Sequence, residues 1–144
     1  MHQQIAPLRH PDPWVNLLLG YVTGIVEALT TGGLHIERSW LDPRGPRDAT
    51  ILYSAPAGEI MALVWDEETG WRCGNYLKGR QGLRTELAGA SYLGGGVLLD
   101  AKEVTRRLDE HVSEPRTQFR SADDLHDGLD DALGHESSRL RVTA

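Results

Sequence analysis

The fold is decided by residues 61–77, MALVWDEETGWRCGNYL, in which two apolar runs flank an acidic turn. The runs 61–65 and 71–77 are rich in aromatic and aliphatic residues, and the polar stretch between them ends in Gly70. Two such runs around a short polar connection are typical of an antiparallel β-hairpin. The stretch therefore predicts two neighbouring antiparallel strands.

Further strands are predicted on both sides of this hairpin. Residues 34–41, 49–55 and 59–65 read as strands joined by loops that contain Pro and Gly. After the hairpin, residues 83–88 alternate between apolar and polar side chains, which suits a strand with one solvated face. Consecutive strands with short connections pair antiparallel, so we expect a sheet of four to five strands.

Two helices are predicted to flank the sheet. Asp12 is a good N-cap, Pro13 fits the first helical position, and residues 30–33 end the apolar run that follows. Asp100 and Glu103 have the spacing of a capping box for a second helix. The order of helix, strands and helix predicts an α+β fold, a two-layer sandwich of one antiparallel sheet with an N-terminal and a C-terminal helix.

The first helix has a wider apolar stripe than one sheet contact requires, spanning roughly 200° at about 100° per residue. Two interpretations follow. Either the helix is wedged between the sheet and another helix, or one flank is an oligomer contact. On the second interpretation the chain forms a homodimer through Val15, Leu19 and Val26, and Gly20 and Gly24 permit close approach.

The chain divides at residues 11 and 112: a lead-in (1–11), an α+β domain (12–112) and an acidic tail (113–144). The tail has seven acidic and four basic residues, a net charge of −3. A short helix at 121–134 would place three leucines four residues apart among aspartates, as anchors for a protein partner. These candidate contacts are Leu125, Leu129, Leu133, Asp127 and Asp130. We expect such a polar tail to order on binding, and residues 12–112 to fold without it.

Composition excludes several classes of function. The net charge of −6 argues against binding to nucleic acid or to an anionic membrane surface. The most apolar stretch, 14–29, is shorter than the ~20 residues of a spanning helix. One cysteine, Cys73, allows no internal disulfide. These features predict a cytoplasmic protein.

A search for catalytic and metal-binding motifs yields none. The sequence has no phosphate-binding loop, no paired CxxC, no HExxH and no nucleophile elbow. The six histidines are scattered, so neither a metal nor a cofactor is expected. The acidic turn 66–68 is expected to face water. Lys78, Arg80 and Arg84 form a basic cluster that suits an anion or ligand contact.

Three features together resemble a known family. They are the apolar helix around Tyr21 and Val22, the hairpin bracketed by Trp65 and Trp71, and the later Tyr-Leu-Gly-Gly step at 92–95. The combination resembles an uncharacterised family of small actinobacterial domains over residues 13–112. The resemblance implies no activity.

Two hypotheses for function follow. The first is a non-enzymatic protein-interaction or regulatory module, homodimeric, whose tail recruits a protein partner. The second is a small-molecule-binding protein or enzyme with a dispersed site. Its pocket candidates are the loop 78–84 and the aromatic residues Trp40, Trp65, Trp71 and Tyr76.

Overall fold

The computed structural model of the protein describes residues 7–43 and 45–143, with side chains described up to residue 138. A short 3-10 helix, Val15–Leu17, leads into helix α1, Leu18–Thr31. The strands that follow are β1 (His35–Asp42), β2 (Asp48–Ser54), β3 (Ile60–Asp66), β4 (Gly70–Arg80) and β5 (Leu83–Tyr92). Two further helices are α2 (Ala101–Asp109) and α3 (Leu129–Thr143).

The strands form one antiparallel sheet in the order β1-β2-β3-β4-β5. Each strand pairs with the next along the chain because the connections are too short for a crossover. The predicted α+β architecture is therefore confirmed. Strands β4 and β5 run further than predicted, because register shifts between Cys73 and Asn75 and again towards Arg80 let the hairpin bend while it stays paired.

The decisive hairpin is fixed to α1 by three aromatic side chains. Trp65 and Trp71 are directly paired across β3 and β4, and the ring of Tyr21 lies 6.0 Å and 6.1 Å from theirs. Trp71 Nε1 donates to Tyr21 Oη at 3.0 Å, and Trp65 Nε1 donates to the carbonyl of Val97 at 2.6 Å. Tyr21 Oη in turn donates to the carbonyl of Leu99. The hairpin thus contacts both α1 and residues 93–100, the glycine-containing link between β5 and α2.

Helix α1 is wedged between the sheet and the helices α2 and α3. Its residues Leu18, Val22 and Ile25 are buried in the main core. At Gly20 the backbone of α3 comes so close that a Cβ would lie 2.5 Å from Ser137. The wide apolar stripe is therefore explained by the first interpretation, a helix covered on more than one side. Among the described residues, no helix combines the length and apolarity needed to cross a membrane.

The sheet curls so that the far half of the β4–β5 hairpin covers the face opposite the helices. Thr50 of β2 and Thr85 of β5 share a hydrogen bond of 2.7 Å between their hydroxyl groups. At the hairpin tip, Gly82 N donates to Oδ2 of Asp42, the last residue of β1, at 2.8 Å. A second, smaller core lies under this hairpin and contains Trp40, Leu52, Ala62 and Val64.

Candidate functional site

A buried ion pair lies at the end of the sheet where the β1–β2 loop meets the β3–β4 turn. The side chains of Arg47 and Glu67 are each 1% exposed. Arg47 donates to the Glu67 carboxylate through Nη2 (2.9 Å), Nε (3.1 Å) and its backbone N–H (2.7 Å). A buried pair is tolerated only when such additional hydrogen bonds offset the loss of hydration.

The C-terminal segment completes this pair. Asp130 of α3 accepts from Arg47 Nη2 at 2.7 Å, and Arg120 Nη1 donates to Glu67 Oε1 at 3.1 Å. Trp14 stacks its ring 4.2 Å from the Arg47 guanidinium. Burial lowers the pKa of Arg47, but the carboxylates of Glu67 and Asp130 outweigh it and raise the pKa above its ordinary value. Arg47 therefore stays charged.

The expectation that the acidic turn 66–68 faces water is wrong. Asp66 and Glu67 are 4% and 0% exposed. Asp66 accepts from the backbone N–H groups of Glu68 and Thr69 and from Arg72 Nη1, at 2.7–2.9 Å. Glu67 is buried because arginines far along the chain reach it. The sequence of an acidic turn does not indicate that arginines distant along the chain will bind it.

Residues 113–128 cross the outside of this turn without forming a helix or strand. Phe119 N donates to the carbonyl of Glu68 at 2.8 Å, and Ala122 N donates to Glu68 Oε2 at 2.8 Å. Arg120 also binds Asp127 at 2.5 Å and the carbonyl of Asp124 at 2.7 Å. The segment is therefore fastened to the β3–β4 turn at several points.

The structure corrects the expectation that all three tail leucines are presented to a partner. Leu129 and Leu133 are 7% and 0% exposed and belong to the main core, because α3 packs on α1. Leu125 is 60% exposed. The predicted partner contacts Asp127 and Asp130 are occupied by arginines of the same chain. The predicted helix at 121–134 is also displaced, since α3 begins at Leu129.

The predicted dimer contact on α1 is likewise occupied within the chain. Val15 and Val26 are both 0% exposed. Leu19 is half-buried beside a cleft of about 520 Å³ that also includes Gly20 and Ser137. Val15 and Val26 are therefore covered within the chain, whereas Leu19 stays partly exposed at this cleft.

The predicted basic cluster lies at the tip of the β4–β5 hairpin. Lys78 forms an exposed ion pair with Glu86 at 3.3 Å, while Arg80 and Arg84 are exposed. Leu77 and Leu83 are also exposed there, by 60% and 45%. The tip is therefore both basic and apolar.

The aromatic residues expected to line a pocket do not do so. Trp65 and Trp71 lie in the main core, and Trp40 lies in the second core with Tyr76 packed against it. A groove of about 480 Å³ instead opens between α2 and the helix-covered face of the sheet. Tyr53 lines it, a residue that the sequence reasoning missed because it sits in an ordinary strand pattern.

No group of three or more His, Cys, Asp or Glu side chains in the described part of the chain is arranged to hold a metal ion. A family model described as a family of unknown function matches residues 21–110. The matched range includes the hairpin, Arg47 and Glu67, and it ends before Arg120 and α3. No curated protein and no solved structure matches the chain.

Proposed function

Because the chain belongs to the DUF6292 family, whose function is unknown, we propose from its own geometry that it is a non-enzymatic protein-interaction module. Its recognition element is the segment 113–128. The observation that carries this proposal is the exposure of Phe119 (41%) and Leu125 (60%) on a segment that Arg120 fastens to a buried ion pair. An ordered segment loses less conformational entropy on binding than a free tail does.

The charges around these two side chains favour one kind of partner. Asp123, Asp124 and Asp131 are exposed, whereas Arg120 is neutralised by Glu67 and Asp127. The surface is therefore acidic and carries apolar anchors. It fits a basic surface with exposed apolar side chains, which electrostatic attraction would steer into contact.

The partner that we propose is a second copy of this chain. The hairpin tip has the required chemistry, because Lys78, Arg80 and Arg84 stand beside the exposed Leu77 and Leu83. Two copies can exchange these contacts reciprocally around a two-fold axis, which closes a homodimer. This contact replaces the one first expected on α1.

We propose that the module works in the cytoplasm of an actinobacterium. The family resemblance supports the source, and the single cysteine, which can form no internal disulfide, supports the compartment.

Sedimentation velocity with charge-reversed variants tests the proposal. The double variants Asp123→Arg/Asp124→Arg and Arg80→Asp/Arg84→Asp should each be monomeric where the wild type is dimeric. An equimolar mixture of the two should restore the dimer, because the reversed charges complement each other. High salt should weaken the wild-type dimer, since exposed charges are screened over about 8–10 Å.

A matched pair of apolar variants serves as a control. Leu125→Asp should raise the dissociation constant at least tenfold, whereas Ile60→Asp, at a residue 37% exposed outside both surfaces, should leave it unchanged. A wild type that is monomeric at millimolar concentration, or a dimer indifferent to both charge reversals, would show that the proposal is wrong.

A further inference from the structure

The groove beneath α2 is independent of the surfaces just described. Its apolar walls come from the sheet and the helix, and they include Met61, Leu93, Leu108 and Val112. Tyr53 on β2 and Cys73 on β4, the strands on either side of β3, form its floor. Its volume of about 480 Å³ lies within the range of roughly 300–1,000 Å³ that is usual for small-molecule sites.

The Tyr53 hydroxyl is the polar group on which the inference depends. Tyr53 is 7% exposed, and no hydrogen bond to its hydroxyl is formed by the described residues. Every fully enclosed side-chain N or O atom in that part of the chain has a partner, so this hydroxyl must open onto the groove. This hydroxyl is therefore available to donate a hydrogen bond to a molecule bound in the groove.

The floor of the groove is uncharged. Burial raises the pKa of the Tyr53 phenol and of the Cys73 thiol, so both keep their protons near neutral pH. The charged residues Glu59, Arg107 and Asp109 contribute to the groove as well. Arg107 is already engaged by Glu103 Oε1 at 3.0 Å and by the carbonyl of Leu93 at 2.8 Å. A charged group at the floor would lose its hydration without gaining a counter-ion, which is strongly unfavourable.

We propose that this groove binds an uncharged, mainly apolar small molecule whose carbonyl or hydroxyl oxygen accepts a hydrogen bond from Tyr53. The walls exclude water from the body of the ligand, and Tyr53 orients its polar end. Binding is non-covalent, because a protonated thiol such as that of Cys73 is a poor nucleophile.

Fluorine NMR with three small probes tests this assignment. The probes are 4′-fluoroacetophenone, fluorobenzene and 4-fluorobenzoate, which differ in having a neutral acceptor, no acceptor and a charge. We expect the ketone to bind the wild-type protein most tightly. Tyr53→Phe keeps the ring and removes the donor, so it should weaken ketone binding about fivefold and leave fluorobenzene binding unchanged.

Two further measurements locate the site. Tyr92→Phe, a matched change outside the groove, should leave binding of all three probes unaltered. Cys73 is the single cysteine, so its rate of reaction with dithiodipyridine reports on the groove alone, and saturating ketone should slow that rate several-fold.

Any of the following results would overturn the assignment. The first is equal binding of the ketone to wild type and Tyr53→Phe, and the second is tighter binding of the benzoate. The third is an unchanged Cys73 reaction rate at saturating ketone. Failure of all three probes to bind at millimolar concentration would count equally against it. None of these results bears on the dimer, which uses other surfaces.

Discussion

Asp48 is a residue whose surroundings oppose its ordinary charge. It lies in β2 directly opposite Asp42 on β1 and Asp66 on β3, and it is 3% exposed. Burial raises its pKa to about 7, with Asp42 and Asp66 adding to the effect and Arg84 and Arg72 opposing it. The carboxyl is therefore protonated in mildly acidic solution, where an exposed aspartate would be ionised.

This raised pKa predicts a pH dependence of stability. The folded pKa lies above the unfolded value of about 3.9, so Asp48 holds its proton more tightly in the folded state. Its favourable contribution is complete below pH 4 and is lost as pH rises through about 7. Asparagine cannot ionise, so Asp48→Asn avoids burying a charge at high pH. The substitution should therefore stabilise the protein at pH 8 by up to about 4 kcal/mol.

Urea unfolding of wild type and Asp48→Asn at pH 5, 6, 7 and 8 measures the effect. The difference between the two proteins should widen from pH 5 to about 7 and level off towards pH 8, where Asp48 is ionised in both the folded and the unfolded state. Glu103, whose pKa is held low by Arg106 and Arg107, changes charge below this window and is common to both proteins. A stability difference that is constant from pH 5 to 8 would show that Asp48 does not titrate in this pH range.

At the scale of single elements, the two faces of α1 differ in how closely other parts of the chain pack against them. Two glycines on this helix have contrasting surroundings. A Cβ at Gly20 would lie 2.5 Å from the backbone of Ser137 in α3, whereas a Cβ at Gly24 would meet no atom within 4 Å. Substitutions at these two glycines therefore distinguish the effect of the α1–α3 contact on stability from the effect of intrinsic helix propensity.

We predict opposite effects for alanine at these two positions. Gly24→Ala should stabilise the protein by up to about 1 kcal/mol, because alanine favours the helix. Gly20→Ala should destabilise it by roughly 1–3 kcal/mol, since backbone atoms of α3 must move to admit the methyl group. Thermal unfolding of both variants measures the difference. Stabilisation by both would mean that α3 does not pack on α1 at Gly20.

At the scale of the whole molecule, the segment after residue 112 joins parts of the protein that are distant in sequence. It contributes Leu129 and Leu133 to the main core and supplies Asp130 and Arg120 to the buried pair Arg47–Glu67. The division of the chain at residue 112 stays a prediction, and the packing of α3 favours the opposite outcome.

Truncation after Val112 should destabilise the protein. Burial of Leu129 and Leu133 contributes about 1.5–3 kcal/mol each, against a total stability of about 5–15 kcal/mol for an average domain. Urea unfolding of the truncated chain measures the loss. In the full chain, Leu133→Ala should cost about 2–5 kcal/mol, and Leu125→Ala less than about 0.5 kcal/mol. An unchanged unfolding midpoint after truncation would instead restore the boundary at 112.

The sequence by itself determined α1, the five strands, α2 and their order, whereas it misplaced the helix of the tail, which begins at Leu129. The hairpin 61–77 depends on two apolar runs around a polar turn, and the start of α2 depends on Asp100, which accepts from Glu103 N at 2.9 Å. These signals involve residues a few positions apart, so they are complete within a short stretch of sequence. The consecutive pairing of the strands follows from their short connections.

Only the tertiary structure decided which polar and apolar residues are buried. Arg120 reaches Glu67 over 53 residues, and Arg47 reaches Asp130 over 83. A glutamate in a turn has the same local sequence whether water or a distant arginine surrounds it. The leucines of α3 and the hydroxyl of Tyr53 show the same limit. Their surroundings depend on surfaces that exist only after the sheet and helices have packed, because burial is a property of the assembled chain.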